Sequence, residues 1–277
     1  MDYKRILTLQ DISCFGQCSL TVALPIISAC KIETCILPSA VLSTHTGGFS
    51  GFTFRDLTED IPQIIDHWKK ENILFDAVYT GYLGSLTQID YVKRIKRELL
   101  KDGAKLIVDP AMADNGKLYS IFDSVYAKEM AKLCAEADVI LPNVTEACFM
   151  TGMEYREEYD ENYVDGLLKA LDKMGAKTIV LTGIGYDKDS TGVVVYENGE
   201  KQYYKHKKYE KGCHGTGDVY SSAFVGAYVR GKSLFDSARI AADYTLKCIE
   251  NTYGDKEHWY GVKFETALSS LIEDIEN

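Results

Sequence analysis

The sequence predicts an α/β fold with a mostly parallel central sheet, helices on both faces and a late β-hairpin at one edge. Two observations support this prediction. Short apolar runs alternate along the chain with longer segments of helical periodicity, which is the pattern of repeated strand–helix units. Late in the chain, Asn198-Gly199 separates two strand-like segments, and this dipeptide is typical of a tight hairpin turn.

The individual elements follow from the same periodicities. Strands are expected at short apolar runs, which cover residues 4–10, 34–42, 75–80, 105–108, 139–141 and 178–181. Helices are expected where apolar residues recur with helical spacing, at 19–30, 57–70, 87–100, 124–135 and 160–174. Thr58 is the predicted N-cap of the second helix. The hairpin strands cover 192–196 and 201–206, and helices at 216–230, 234–250 and 263–275 end the chain.

The composition is that of an ordinary globular protein. The chain has 277 residues, with 31 Lys plus Arg against 41 Asp plus Glu and a formal charge of −10. This acidity argues against nucleic acid and membranes as partners, because phosphate-rich surfaces need net positive charge. The eight cysteines form no Cys-x-x-Cys pair, which argues against a zinc site. Since no leader or membrane-spanning pattern is found, we expect a cytoplasmic protein with a single domain over residues 1–277.

Two glycine-rich segments are candidate phosphate sites. Gly226 to Ser233 fits the expression of a P-loop, but the preceding residues have the spacing of a helix instead of a strand. We therefore interpret it as the end of one helix and the N-cap of the next. Gly212 to Asp218 leads directly into the helix at 216–230, where free amides and the helix dipole favour an anion. The residues alone leave this second segment open between an anion site and a simple turn.

The second segment resembles the signature of the ribokinase-like small-molecule kinases, which ends in Gly-x-Gly-Asp at a helix start. Further segments occur in family order over residues 5–225 and narrow the resemblance to the pyridoxal and pyridoxamine kinases. These segments are Ser43-Thr-His-Thr-Gly47, Thr80-Gly-Tyr-Leu-Gly-Ser85, Asp109-Pro-Ala-Met-Ala-Asp114 and Pro142-Asn-Val-Thr-Glu146. The resemblance implies an ATP-dependent kinase that phosphorylates the hydroxymethyl group of pyridoxal, pyridoxine or pyridoxamine. Kinases of this family are usually homodimers.

The resemblance also implies the catalytic residues. Asp218 would be the general base that takes the proton from the attacking hydroxyl. The amides of Gly215, Thr216 and Gly217 would stabilise the transferring phosphoryl group and contact the nucleotide.

The same resemblance implies residues around the nucleotide phosphates and Mg²⁺. Thr182 and Gly183 would lie beside the phosphates, with the hairpin near the adenine. Asn143 and Glu146 would organise the magnesium ion and its waters. Asp109 and Glu146 would be the metal residues, with Asp114 as a weaker candidate, since magnesium accepts few direct carboxylates and several waters.

For the acceptor ring, the resemblance implies a flat site with a few polar groups. Tyr82 would stack on the ring, Met112 would cover it, and Thr46 would hydrogen-bond its polar edge, with His45 as a further contact. Asp11 departs from the family, which commonly places Ser there. An ionised carboxylate accepts hydrogen bonds but cannot donate them, so Asp11 affects the choice of acceptor.

Three alternative functions remain at this point. A hydroxymethylpyrimidine kinase of thiamine synthesis shares the fold and the base, and Asp11 leaves room for it. A non-catalytic protein that binds a vitamer or nucleotide would not need the base, the anion loop and the metal-region acids together. A P-loop ATPase would require Gly226 to Ser233 to follow a strand.

Overall fold

The computed structural model describes residues 3–16, 18–209 and 213–277. Its principal feature is a nine-stranded sheet. The strands of that sheet are β1 (Arg5–Ser13), β2 (Glu33–Leu42), β3 (Phe54–Asp56), β4 (Phe75–Thr80), β5 (Leu100–Val108), β8 (Val139–Ile140), β9 (Thr178–Thr182), β10 (Ser190–Glu197) and β11 (Glu200–Lys207). A separate two-stranded ribbon is formed by β6 (Ala113–Asp114) and β7 (Lys117–Leu118).

The strand order is β11-β10-β9-β8-β5-β4-β1-β2-β3. The six strands from β9 to β2 pair in parallel, whereas β10, β11 and β3 pair antiparallel at the two edges. The predicted mostly parallel sheet with a late hairpin edge is therefore confirmed. The edge strand β3 and the small ribbon were not predicted, because both are too short for a periodic signal.

Helices cover both faces of the sheet. They are α1 (Leu20–Ala29), α2 (Ile61–Lys70), α3 (Leu86–Leu99), α4 (Ser124–Glu136), α5 (Val144–Thr151), α6 (Glu161–Met174), α7 (Thr216–Val229), α8 (Leu234–Thr252) and α9 (Leu268–Glu276), with a 3-10 turn at Phe264–Ala267. One core joins the sheet to α2 through α6, and the other joins it to α1, α7, α8 and α9. Alternate residues of β4 enter the two cores, with Val78 in the first and Tyr79 in the second. Since both faces are covered, a ligand reaches the sheet at the ends of its strands.

The segment Gly226 to Ser233 is a helix–turn–helix junction. Gly226 lies within α7, where an added Cβ would come 2.4 Å from Cys30 Sγ. Gly231 has a φ of 99°, and Ser233 caps α8 by accepting the Asp236 amide at 3.0 Å. A helix precedes the segment, so the interpretation as a helix end followed by an N-cap is confirmed and the P-loop alternative is excluded.

The predicted cap at Thr58 is wrong. The helix α2 begins at Ile61 with Asp60 at its N-cap position and no side-chain cap. The Thr58 hydroxyl instead donates to Asp56 Oδ1 at 2.6 Å, and the Thr58 amide donates to the same oxygen at 2.8 Å. A local turn thus captures the threonine before the helix starts. In the described part of the chain, no helix is both long and apolar enough to span a membrane.

Candidate active site

The carboxyl ends of the parallel strands meet at one edge of the sheet, and backbone hydrogen bonds tie them together. Just beyond β5, the Asp109 amide donates to the carbonyl of Thr80 at the end of β4. Beyond β8, the Pro142 carbonyl accepts the Thr182 amide at 2.9 Å, and Asn143 forms a parallel bridge with Thr182. The polar residues at these strand ends therefore lie along the same edge of the sheet.

The N-terminus of α7 is open to an anion. Gly215 has a φ of 75° and occupies the N-cap position, and among the described residues no side chain caps the helix. A Cβ built on Gly217 would meet nothing within 4 Å. The amides of the first turn and the positive end of the helix dipole therefore face open space. Gly212, the first residue of the predicted loop, lies outside the described residues.

Asp218 lies in the first turn of α7. Its Oδ2 accepts the Ser19 amide at 3.0 Å, and the Cys18 thiol donates a further hydrogen bond to the carboxylate. Burial raises the pKa of Asp218 to about 7, and the negative charges of Asp109 and Asp11 act in the same direction. A carboxylate that titrates near neutral pH is suited to accept a proton from an alcohol as it attacks.

Asp11 lies at the end of β1 and is only 6% exposed. Its Oδ1 accepts the Ser19 hydroxyl at 2.6 Å, and its Oδ2 accepts the Ser13 hydroxyl at 3.1 Å. Burial raises the pKa of Asp11, while the two serine hydroxyls oppose this. The charge of Asp11 in turn helps to raise the pKa of Tyr82 to about 12, after burial as the main cause. Asp11 therefore lies near both Asp218 and Tyr82, the predicted ring-stacking residue.

Asp109 is held near Asp218 through helix α7. The Ser221 hydroxyl donates to Asp109 Oδ2 at 2.7 Å, and Ser221 follows Asp218 by three residues on the same helix face. The Ala111 amide donates to the other carboxylate oxygen at 3.2 Å. Burial raises the pKa of Asp109 to about 6.

Asn143 and Glu146 form a capping box at the start of α5. Asn143 Oδ1 accepts the Glu146 amide at 2.9 Å, while Glu146 Oε2 accepts the Asn143 amide at 2.9 Å. Glu146 Oε1 also accepts the Met112 amide at 3.1 Å, and Asn143 Nδ2 donates to the Ala113 carbonyl at 2.9 Å. The two side chains therefore fix the loop that follows Asp109. Burial and the charge of Asp109 raise the pKa of Glu146 well above its ordinary value.

These acids fit a cation that takes most of its ligands from water and phosphate. Among the residues that the structure describes, no group of three or more His, Cys, Asp or Glu side chains could hold a metal alone. Asp109 and Glu146 are two nearly buried carboxylates with raised pKa values, which a neighbouring cation would relieve. Because backbone amides already occupy both oxygens of Glu146, contact through water suits this residue. Asp114 is exposed and bonds to Asn115.

Two predicted acceptor contacts are buried in this structure. Met112 is 0% exposed and belongs to the core between the sheet and α2 through α6, so it offers no open surface to a ring here. His45 uses both ring nitrogens within the protein: Nε2 donates to the Tyr260 carbonyl at 2.6 Å, and Nδ1 accepts the Gly47 amide at 3.1 Å. Burial lowers the pKa of His45, consistent with this neutral form. His45 therefore shapes the loop that carries Thr46.

The other predicted contacts remain accessible. Thr46 is exposed, and Tyr82 is half-buried with its ring centroid 5.6 Å from that of Phe122. Thr182 Oγ1 donates to the Pro142 carbonyl at 3.3 Å. Gly183 has a φ of 73°, and a Cβ built there would meet nothing within 4 Å. Both positions lie beside Asn143, where phosphate contacts were predicted.

An aromatic cluster that was not predicted surrounds the loop that carries Thr46. Ring centroids are 4.6 Å apart for Phe49 and Trp259, and 4.7 Å apart for Phe15 and Tyr260. A Cβ on Gly48 would come 2.8 Å from Trp259. Next to it, a Cβ on Gly47 would come 2.8 Å from His214 of the anion loop. Trp259 and Tyr260, near the C-terminus, and His214, just before α7, therefore lie against the loop that carries Thr46 or its neighbours. No periodic signal in the sequence marks these contacts.

Cys18 and Ser19, in the turn before α1, also contact Asp218, and neither was a predicted site residue. An N-cap serine before an apolar helix is visible in the sequence, but its contact with a residue 199 positions away is not.

The covered α/β sheet and the open N-terminus of α7 beside Asp218 agree with the resemblance to the ribokinase-like small-molecule kinases, and comparison with known proteins shows that class. A model described as phosphomethylpyrimidine kinase matches residues 27–262. The chain belongs to this family. Pyridoxal kinases are also among the relatives of the chain.

Three similar proteins illustrate the range of the family. A Bacteroides thetaiotaomicron protein assigned as a phosphomethylpyrimidine kinase, crystallised with pyridoxal, is 35% identical with a TM-score of 0.91, covering 98% of this chain and 96% of that one. The pyridoxal kinase of Lactobacillus plantarum is 30% identical with a TM-score of 0.90, covering 98% of each chain. A hydroxymethylpyrimidine/phosphomethylpyrimidine kinase of Bacillus subtilis is 25% identical, covering 90% of this chain and 83% of the relative.

Proposed function

We propose that this chain transfers the γ-phosphoryl group of ATP to the hydroxymethyl group of pyridoxal, pyridoxine or pyridoxamine. The observation that carries the proposal is the position of Asp218, a carboxylate with a pKa of about 7 in the first turn of a helix whose N-terminus is open. The base and the anion site are thus parts of the same helical turn.

In the proposed reaction, Asp218 accepts the proton of the acceptor hydroxyl as its oxygen attacks the γ-phosphorus, and ADP leaves. The amides of Gly215, Thr216 and Gly217 hold the transferring group, because partial positive charge at a helix N-terminus stabilises developing negative charge. Thr182 and Gly183 hold the remaining phosphates from the adjacent strand end.

Asp109 is the residue proposed to hold Mg²⁺, with Glu146 acting through water and Asn143 fixing the loop. When bound, Mg²⁺ supplies positive charge that neutralises the phosphate oxygens during transfer. Because burial raises the pKa of Asp109 and of Glu146, a neighbouring cation would favour their ionised forms.

For the acceptor, we propose that Tyr82 lies against the ring and Thr46 hydrogen-bonds its edge. Asp11 lies near both Tyr82 and the base. A carboxylate at this place favours a ring that offers a donor, such as a phenolic hydroxyl or a protonated ring nitrogen. The pyridoxal bound by the Bacteroides relative supports the same acceptor class.

A second candidate activity is phosphorylation of hydroxymethylpyrimidine. It is favoured by the family model and by the Bacillus relative, and an aminopyrimidine also offers donors to Asp11.

One assay separates these activities. Purified protein is given ATP with pyridoxal, pyridoxine, pyridoxamine or hydroxymethylpyrimidine, each with and without Mg²⁺, and ADP release is measured. We expect the highest kcat/KM with a pyridoxal-type acceptor and loss of turnover without Mg²⁺. Preference for hydroxymethylpyrimidine would establish the second candidate, and no turnover with any acceptor would favour a binding protein.

A further inference from the structure

Ser19 contacts two carboxylates that come from distant parts of the chain. It lies in the turn between β1 and α1, and it is nearly buried. Its hydroxyl donates to Asp11 Oδ1 at 2.6 Å, and its amide donates to Asp218 Oδ2 at 3.0 Å. One residue therefore connects the acid proposed for the acceptor with the acid proposed as the base.

The conformation of Ser19 is unfavourable for a residue with a side chain. Its φ is 56° and its ψ is −132°. These values resemble the first central position of a type II′ turn, where glycine dominates because a Cβ is strained there.

Ser19 also departs from the usual behaviour of an N-cap serine. It occupies the N-cap position of α1, but its side chain makes no capping hydrogen bond. A serine at this position ordinarily accepts an amide of the first turn, which stabilises the helix. Here the hydroxyl is directed to Asp11 instead, so neither the backbone strain nor the lost cap has a compensating gain within α1.

We infer that Ser19 is a positioning residue for phosphoryl transfer: its hydroxyl bond to Asp11 maintains the strained turn in which its amide meets Asp218. The inference rests on the proposed function, since that function makes Asp218 the base.

The surroundings of Asp218 explain why this amide matters. Most neighbouring ionisable groups that interact with Asp218 are acidic, and they come from the β1–α1 turn and from the ends of β1, β4 and β5. They are Cys18, Asp11, Tyr79 and Asp109, with Tyr119 beyond β7. Burial and negative neighbours disfavour the ionised base, whereas a hydrogen bond from the Ser19 amide favours it.

The test compares Ser19→Ala with Ser19→Gly in the full chain, with pyridoxal and hydroxymethylpyrimidine as acceptors. Both variants lose the hydroxyl, but only alanine keeps the Cβ that disfavours a positive φ. In Ser19→Ala the turn relaxes and the amide leaves Asp218, so we expect kcat to fall about tenfold with the KM for ATP unchanged. In Ser19→Gly the turn persists, and we expect kcat at least about threefold above that of Ser19→Ala. A merely structural role predicts that the two variants differ in melting temperature but, once folded, share the same kcat and the same pKa of Asp218.

A second measurement needs no turnover. The pKa of Asp218 is followed by NMR of its side-chain carboxyl carbon, which is assigned by its absence from Asp218→Asn. We expect Ser19→Ala to raise this pKa by about 0.5–1, and Ser19→Gly to raise it by less than about 0.3. If the wild type phosphorylates neither acceptor, the proposed function fails, and the order of these pKa values still decides the role of Ser19.

Asn72 provides a matched control for strain alone. It also has a positive φ, of 55°, and lies exposed beyond the end of α2. Asn72→Ala and Asn72→Gly should change the melting temperature without changing kcat or the pKa of Asp218.

The inference is overturned if Ser19→Ala keeps wild-type kcat and the wild-type pKa of Asp218, or if Ser19→Gly is impaired as much as Ser19→Ala. Should Ser19→Ala fail to fold, Ser19→Gly decides alone. A pKa of Asp218 within about 0.3 of wild type supports the role of the turn, and a larger rise contradicts it.

Discussion

Replacing Asp218 by asparagine should remove activity and, at the same time, stabilise the protein at high pH. Asparagine keeps an oxygen for the Ser19 amide but carries no charge. In the wild type, burial raises the pKa of Asp218 from its ordinary 3.8 to about 7. The folded state therefore binds this proton more tightly than the unfolded state. The tighter proton binding by Asp218 stabilises the folded state fully below pH 4, and this stabilisation is lost as the pH rises towards 7. Above that range the ionised carboxylate of Asp218 destabilises the wild type.

The expected size follows from the same values. Between pH 5 and pH 8 the free energy of unfolding of the wild type falls, relative to Asp218→Asn, by the equivalent of about two pKa units. One pKa unit corresponds to about 1.36 kcal/mol, so the upper limit of this fall is about 2.7 kcal/mol. Partial exposure to solvent reduces this to about 1.5–2.5 kcal/mol. For a chain of this size, 1 kcal/mol corresponds to about 2 °C. The melting temperature of Asp218→Asn minus that of the wild type should therefore rise by about 3–5 °C from pH 5 to pH 8.

The assay is thermal unfolding of both proteins across this pH range, together with ADP release at pH 8. Asp102→Asn, an exposed acid of β5, is the control and should show no pH-dependent difference. We expect turnover of Asp218→Asn to fall by about 10²–10⁴, because the general base is lost. A melting-temperature difference that stays constant with pH would contradict the buried charge, and near-normal turnover would contradict the role of Asp218 as base.

Three other outcomes follow from the site. The kcat/KM for the acceptor should rise with pH and level off above about 7, because Asp218 accepts a proton only when ionised; a flat profile between pH 5.5 and 8 would count against it. Gly217→Ala should fold normally, since nothing lies within 4 Å of the added Cβ, yet lower turnover about tenfold or more by filling the anion space. Its control is Gly166→Ala in α6, whose Cβ would meet only Met153 at 3.5 Å and which should leave turnover unchanged. Met112→Ala should lower stability by about 2–5 kcal/mol, measured by denaturant unfolding, with the acceptor KM unchanged; a raised KM in the folded variant would restore Met112 to the ring site.

Much of the fold was predictable because the responsible interactions are local or periodic. The strand Phe75–Thr80 was predicted with its observed bounds, and Asn198-Gly199 correctly predicted the hairpin between β10 and β11. The helical spacing before Gly226 was enough to reject a P-loop. In contrast, β3 and the ribbon of β6 and β7 depend on pairing with other segments and carry no period of their own.

In the candidate site, too, local features were predictable and contacts between distant segments were not. Glycines before a helix and an acid in its first turn are neighbours in the chain, so the residues themselves marked a candidate anion terminus, open against a simple turn, and the family resemblance supplied the role of Asp218. Met112 and His45 look like ligand contacts in a linear motif, but their environment is set by distant segments. His45 is held by the carbonyl of Tyr260, 215 residues away, and Met112 is enclosed by the core.

The chain's own pattern was therefore sufficient for the mostly parallel sheet, its late hairpin edge and the helix that carries Asp218, since backbone geometry and apolar periodicity act over a few residues. The pKa of each carboxylate in the site could not be predicted from local sequence patterns. Asp218 has its raised pKa because folding removes it from water and brings the charges of Asp109 and Asp11 near it, while the hydrogen bond from the Ser19 amide opposes the rise. Desolvation and hydrogen bonding between remote segments exist only once the chain has packed, so the chemistry of the site is a property of the folded molecule.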